Sequence, residues 1–255
     1  RVLLWSAACL AAASAVSAQQ PPYRNAALPV AERVRDLLTR MTPEEKFWQL
    51  FMIPGDLDSA SYDYSHGIFG LQIAPASDSA PDAARTHAVR INAIQRYFVD
   101  HTRLGIPIIP FDEALHGLGR PGATAFPQAI GLAASWDTAM VRHVARAVAD
   151  ETRSRGIRQV LSPVVNIASD VRWGRTEETY GEDPLLVSAM TASYVGAVEA
   201  AGIVATPKHF VANVGEGGRD SYPIEVSLRQ LEELYFPPFR AALRAGARSV
   251  MTAYN

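Results

Sequence analysis

The sequence has 255 residues, 48% hydrophobic and 20% charged, a composition that supplies enough apolar material for one large folded core. Its 24 Lys and Arg stand against 26 Asp and Glu, so the basic surplus that nucleic acid or an anionic membrane requires is absent. A neutral or mildly polar ligand is the better match.

Residues 1–18 have the pattern of a secretory leader, with Arg1 as the positive charge, an apolar stretch from Val2 to Ala13, and Val16-Ser17-Ala18 as a small-residue cleavage site before Gln19. The stretch is shorter than the roughly 20 residues a bilayer span needs, so no membrane span is expected and the mature protein is placed in a secreted or periplasmic location. Cys9, the single cysteine, falls inside the leader, so disulfides do not stabilise the mature fold. A Pro-containing junction over residues 19–27 leads into a domain over residues 28–255.

From Leu28 to Leu50 the period is helical, with Val34, Leu37, Leu38 and Met41 on one face. Thr42-Pro43-Glu44-Glu45 restarts the helix, with Thr42 as N-cap, Pro43 at the first helical position and Glu45 at the capping-box position. Short apolar runs then recur at residues 68–73, 106–111, 129–133, 160–165, 203–206 and 249–253. Most alternate with amphipathic helical stretches at 85–102, 136–155, 184–201 and 228–245, which predicts parallel βαβ units around a sheet buried on both faces. Gly156, Gly202 and Gly246 end helices just before the next run, and Asp137 and Asp183 stand near helix starts.

Polar residues collect where these runs end. Asp112 and Glu113 follow the second, Asn166 and Arg172-Trp173-Gly174-Arg175 follow the fourth, Lys208-His209 ends the fifth, and Tyr254-Asn255 ends the sixth. In a TIM-type (β/α)8 barrel all strand C-terminal ends open on one mouth, where chemistry resides. A doubly wound open sheet is the competing architecture, but no Gly-x-Gly-x-x-Gly turn follows immediately on any candidate strand. Six runs are fewer than eight, so the barrel is expected to be incomplete at its C-terminal end.

Lys208 carries the functional argument, because an ammonium at the end of an apolar strand costs several kcal/mol of desolvation unless partners receive it. Asp112, Arg175, Lys208, His209 and Arg219 form an array of charged donors and acceptors, and Trp173 offers a flat apolar surface. That set suits a sugar, whose hydroxyls take charge-assisted hydrogen bonds while its C–H face packs on an aromatic. Each residue also has an ordinary structural role open to it: Asp112 could cap a loop, Arg175 could pair with Glu178 or Asp183, and Trp173 could be core packing. The histidines lack metal-ligand spacing, so neither metal nor cofactor is expected.

Longer motifs bring a family into view. Phe111-Asp112-Glu113-Ala114-Leu115-His116-Gly117, Phe126-Pro127-Gln128-Ala129-Ile130-Gly131, Arg172-Trp173-Gly174-Arg175 through Asp183-Pro184, Lys208-His209-Phe210 and Met251-Thr252-Ala253-Tyr254-Asn255 resemble the N-terminal barrel domain of glycoside hydrolase family 3. The resemblance implies an exo-acting retaining β-glycosidase, chiefly a β-glucosidase or β-xylosidase, acting on a β-linked oligosaccharide or glycoside. By motif it assigns Asp112, Arg175, Lys208, His209, Arg219 and Tyr254 to the subsite that holds the terminal sugar. It also implies that the nucleophile Asp lies a few dozen residues past Tyr254 and that the acid/base comes from a following α/β sandwich domain, so residues 1–255 are expected to bind sugar without breaking the bond. The Pro-Gly-His-Gly of N-acetylglucosaminide-specific members is replaced here by Val211-Ala212-Asn213-Val214-Gly215. Two rival readings are a non-catalytic secreted sugar-binding protein and a barrel lyase that forms a Schiff base on Lys208.

Overall fold

A computed structural model describes residues 20–58, 62–75, 82–215 and 223–255. The leader residues 1–18 and Arg219 lie outside the described residues. The chain divides into two units, residues 1–46 and 47–255.

The first unit holds a 3-10 turn, Pro22–Arg24, and helix α1, Val30–Arg40. Asp36 ties it together, accepting from the Tyr23 backbone N–H at 3.1 Å and from the Arg40 guanidinium at 2.9 and 3.0 Å. Helix α2, Pro43–Trp48, begins as the capping box predicts: the Thr42 N–H donates to Glu45 at 2.8 Å, and the Glu45 N–H donates to the Thr42 hydroxyl at 3.2 Å.

The second unit is an α/β fold around a parallel sheet. Its strands are β1 Met52–Pro54, β2 Gly70–Gln72, β3 Ile109–Asp112, β4 Gln159–Val160 and β5 Val204–Ala205. All neighbours are parallel, and spatial order equals chain order, β1-β2-β3-β4-β5. The run 249–253 comes next, where Thr252 makes a parallel bridge to Phe210. Sequential parallel order without reversal is the wall of a (β/α)8 barrel, whereas a doubly wound sheet reverses order at a switch point.

Helices α3 Ala83–His101, α5 Thr138–Ser154, α6 Pro184–Ala200 and α8 Phe236–Arg244 connect these strands; the short α4 Ala129–Ala133 precedes α5, and α7 Leu228–Gln230 leads through a π turn, Leu231–Tyr235, into α8. Their burial follows helical spacing. His87, Ile91, Ile94 and Phe98 bury one stripe of α3, and Val141, Ala145, Val148 and Thr152 one stripe of α5. Each fully buried Val, Ile or Phe contributes roughly 1.5–3 kcal/mol, which is what fixes the helices on the sheet. Helix α6 packs against both α5 and α8, and correspondingly buries residues around most of its circumference, among them Val187, Met190, Tyr194 and Val198. Asp137 caps α5 by accepting from the Ala139 and Met140 N–H groups, and Asp183 caps α6 by accepting from that of Leu186. At the far ends Gly156, Gly202 and Gly246 take φ of +88°, +79° and +101°, the left-handed closure the sequence predicts.

The structure corrects one expectation about elements and adds one strand. Residues 129–133 form a helix, not a strand: Ala129, Leu132 and Ala133 are buried while Ile130 and Gly131 face out, an i, i+3, i+4 pattern. Strand β1 is an addition, short and ended by Pro54.

The inner face of the sheet is partly polar. Gln159 of β4 donates to the Thr206 hydroxyl at 3.0 Å and to the Ser249 hydroxyl at 3.2 Å, and Ser249 donates to Thr206 at 2.9 Å. Side chains from three successive positions in the sheet thus meet on one face, as the concave side of a curving wall requires.

Candidate active site

Because every strand is parallel, the residues that follow β2, β3, β4 and β5 all emerge at one end of the sheet. Asp112 closes β3 and is 3% exposed. Its carboxylate is fully engaged: Arg120 donates at 2.7 Å to Oδ2 and 3.1 Å to Oδ1, Gln72 donates to Oδ1 at 2.9 Å, and the Glu113 N–H does so at 2.9 Å. Of these two adjacent acids the accessible one is therefore Glu113, whose side chain is 48% exposed.

Glu113 reaches across to Lys208, whose Nζ donates to Oε2 at 2.6 Å. Lys208 is 3% exposed and lies past β5, where its N–H donates to the Pro163 carbonyl at 3.0 Å and its own carbonyl accepts from the Val165 N–H at 2.8 Å. In the sheet β4 separates β3 from β5, a gap of about 9–10 Å for two strand spacings. An ion pair that closes this gap forms where the strand ends converge over a mouth.

Asn166 organises the next position. Its Oδ1 accepts from both the N–H and Nδ1 of His209 at 3.0 Å, and its Nδ2 donates to the His209 carbonyl at 3.1 Å. Accepting at Nδ1–H fixes the imidazole so that Nε2 points away from Asn166. The Tyr254 ring lies 5.1 Å from the imidazole, centroid to centroid, and is 54% exposed. Phe210 anchors the far side of this segment by stacking on Phe236 at 5.9 Å and meeting Phe239 edge-on at 5.1 Å.

Arg175 is buried and donates to both oxygens of Glu178, at 2.9 and 2.7 Å. Its guanidinium carbon sits 5.9 Å from the centroid of Trp173, which is 1% exposed. The expectation of Trp173 as an open aromatic platform is corrected by this, since its ring is enclosed in the core. The mouth thus brings together Asp112, Glu113, Lys208, His209 and Tyr254, and Arg219 lies outside the described residues.

The loop after β3 is heavily braced. Within it, the Phe126 N–H donates to the His116 carbonyl at 2.8 Å, and His116 Nδ1 lies 3.0 Å from the Phe126 carbonyl. From α6, the Tyr194 hydroxyl donates to the Ala114 carbonyl at 2.9 Å and lies 3.0 Å from Ser162 Oγ. Burial pushes the Tyr194 hydroxyl up to about 12, so it is a neutral donor at any working pH. A cavity of 280 Å³ lined by residues 112–120 opens at this loop.

Sequence reasoning missed Arg120 and Gln72 as the partners of Asp112, and Glu113 as the partner of Lys208. Asn166 carried a signal, a carboxamide directly after an apolar strand, although not its partner. Among the described residues there is no group of His, Cys, Asp or Glu able to hold a metal ion, and no helix long and apolar enough to cross a membrane.

The profile of the family described as Glycosyl hydrolase family 3 N terminal domain matches residues 44–255. A β-glucosidase C from Emericella nidulans is 34% identical over 92% of this chain and 42% of its own length. A β-xylosidase from Formosa agariphila is 38% identical over 60% of this chain and 23% of its own length. Among solved structures, a β-glucosidase from Erythrobacter marinus superposes with a TM-score of 0.80 at 35% identity, covering 92% of this chain and 33% of that one. A β-glucosidase from Listeria innocua, in complex with isofagomine, gives 0.75 at 29% identity over 88% and 32%. The chain therefore spans less than half the length of each of these relatives. With its parallel wall, its convergent mouth and a profile match over residues 44–255, this chain belongs to glycoside hydrolase family 3, in the N-terminal domain of that family.

Proposed function

We propose that the polypeptide is an exo-acting retaining β-glycosidase, a β-glucosidase or β-xylosidase that removes the terminal non-reducing sugar from β-linked substrates, and that residues 28–255 supply its sugar-binding mouth. The observation that carries this reading is the Glu113–Lys208 pair, which stands over the strand ends with its carboxylate half in solvent. Paired charges of this kind present one acceptor and one donor to adjacent hydroxyls, and each charge-assisted hydrogen bond contributes roughly 1.5–3 kcal/mol. His209 and Tyr254 extend the same rim. The relatives named as β-glucosidases and β-xylosidases support the substrate class.

Retention requires two carboxyl groups about 5–5.5 Å apart, one as nucleophile and one as acid/base. Asp112 is clamped by Arg120 and Glu113 is paired with Lys208, so neither carboxylate here suits the proton-donating role. Nucleophile and acid/base are assigned to sequence beyond Asn255, the latter to an α/β sandwich domain of the same polypeptide. The ion pair on Lys208 also counts against the Schiff-base reading, since a nucleophilic amine needs a free lone pair. On the strength of the leader pattern we propose that the enzyme acts outside the cytoplasm, which N-terminal sequencing of the exported protein checks at Gln19.

The test is a panel of nitrophenyl β-glycosides against the polypeptide as its gene encodes it and against residues 19–255 alone. Turnover of a β-glucoside or β-xyloside by the former only, abolished by Lys208→Ala, is the expected result. Turnover by residues 19–255 would overturn the division of labour, and inertness of the whole polypeptide toward every β-glycoside would overturn the function.

A further inference from the structure

Against the β3–α4 loop lies a buried arginine that the sugar-binding reading does not use. Arg155, at the C-terminal end of α5, is 1% exposed. Its Nη2 donates to the Pro121 carbonyl at 2.7 Å, and among the described residues its Nε and Nη1 have no hydrogen-bond partner. A guanidinium in such a position is a poor choice for stability alone, because its charge is desolvated and most of its donors are unused. Burial lowers its pKa, and the like charge of Arg120 acts in the same direction.

The Pro121 carbonyl is one residue from the clamp on Asp112. One turn earlier on α5, Glu151 accepts from the Thr124 N–H at 2.9 Å and from its hydroxyl at 2.7 Å. Between these two ties the chain turns tightly, the Ala123 N–H donating to the Arg120 carbonyl at 2.9 Å. Helix α5 thus grips the segment 121–124 at both ends, and that segment directly continues Arg120. Arg120 in turn holds Asp112, and the backbone N–H of Glu113 is bonded to the same carboxylate.

We infer that Arg155 is a positioning residue for the sugar-binding mouth: with Glu151 it fixes the β3–α4 loop so that Arg120 holds Asp112 and Glu113 is presented to Lys208 and to substrate. The inference rests on the proposed glycosidase function only for its kinetic consequence; the mechanical link is independent of it. The chain of contacts runs Arg155, Pro121, Arg120, Asp112, Glu113, and each member touches the next by hydrogen bond or by peptide linkage. Binding geometry at a mouth degrades with displacements of about 1 Å, so loosening a remote tie is enough to matter.

The experiment compares Arg155→Met, Arg155→Lys and Glu151→Ala in the polypeptide as encoded, by deuterium exchange of the peptide covering residues 113–126 and by steady-state hydrolysis of the nitrophenyl β-glycoside that the parent protein turns over. Exchange in that segment should rise at least threefold in Arg155→Met and Glu151→Ala and stay near the parent value in Arg155→Lys, whose ammonium retains a donor for the Pro121 carbonyl. Kinetically, kcat/KM should fall at least tenfold in Arg155→Met with most of the change in KM, and Arg155→Lys should recover to within threefold. Unchanged exchange in both Arg155→Met and Glu151→Ala would overturn the strut. So would increased exchange with kcat/KM intact, or an Arg155→Lys variant as impaired as Arg155→Met. Should Arg155→Met fail to fold, the surface variant Glu151→Ala decides by the same two readouts. A parent protein inert toward all glycosides would refute the proposed function while leaving the exchange result to decide the strut.

Discussion

Replacing Lys208 by Met separates stability from function in a way the geometry makes quantitative. Lys208 is 3% exposed, so folding strips its ammonium of water at an effective cost of several kcal/mol. The return is a 2.6 Å bond to Glu113, a charge-assisted contact of roughly 1.5–3 kcal/mol. Glu113 remains 48% exposed and rehydrates when its partner is lost, so the mutation leaves no stranded buried charge. Met preserves the aliphatic stem. The two effects nearly cancel, and the unfolding free energy of Lys208→Met is expected to lie within about 1 kcal/mol of the parent, against the ~3–5 kcal/mol lost when a fully buried pair is broken. Under the proposed function the balance differs on substrate, because the donor assigned to the sugar hydroxyl has no replacement. A loss of about 3 kcal/mol corresponds to roughly 100-fold in kcat/KM. Urea denaturation with the slope compared between variants gives the first quantity, and nitrophenyl β-glycoside hydrolysis by the encoded polypeptide gives the second. A destabilisation above about 3 kcal/mol would show Lys208 to be a structural tie. An unchanged kcat/KM would remove it from the sugar site.

Arg120→Met should behave in the opposite way: Asp112 is 3% exposed and loses its bidentate cation, so a loss of about 3–5 kcal/mol is expected, with Asp112→Asn in the same chain recovering part of it in a thermal melt. A change below about 1 kcal/mol would mean the carboxylate is not enclosed. Gly117→Ala places a Cβ 2.2 Å from the Thr124 carbonyl at φ +117°, and should cost at least ~2 kcal/mol, whereas Gly119→Ala, at φ +66° with nothing within 4 Å, should cost about 1; equal costs in chemical denaturation would contradict this. His87 is held neutral, its pKa lowered first by burial and further by Arg155 and Arg120, although its 2.8 Å contact with the Ile73 carbonyl opposes this. The unfolded chain therefore binds more protons below its ordinary value of about 6.5, so stability is full above that pH and falls on acidification toward the folded-state pKa, by at most ~1.4 kcal/mol per pH unit. His87→Gln should shrink the difference in melting temperature between pH 7.5 and pH 5, and an undiminished difference would refute the assignment.

The helices and the parallel sheet were legible because each rests on a local signal: a 3.6-residue stripe on α3 and α5, an Asp cap on α5 and α6, a left-handed glycine after α5, α6 and α8. Residues 129–133 were misread because five apolar residues are too few to distinguish a period of two from one of 3.6. Within the mouth, Lys208 and His209 could be singled out since a Lys-His pair ending an apolar run has few other uses. Which of Asp112 and Glu113 keeps an accessible carboxylate could not be read. Both line the mouth, and which carboxylate is left accessible is settled by Arg120, a loop residue tied through Pro121 to Arg155 beyond α5, rather than by any nearby sequence pattern.

The contacts among Gln159, Thr206 and Ser249 have a further consequence for assembly of the wall. Aliphatic side chains on an inner face attract one another with little directional preference, so a strand displaced along its axis could still satisfy them. Two hydroxyls and a carboxamide cannot, because moving Val204–Ala205 by one residue against its neighbour would rotate Thr206 to the outer surface and strand the Gln159 amide without acceptors. This polar layer therefore acts as a vernier for strand alignment, and the same alignment sets the height at which Lys208, two residues further along, arrives opposite Glu113.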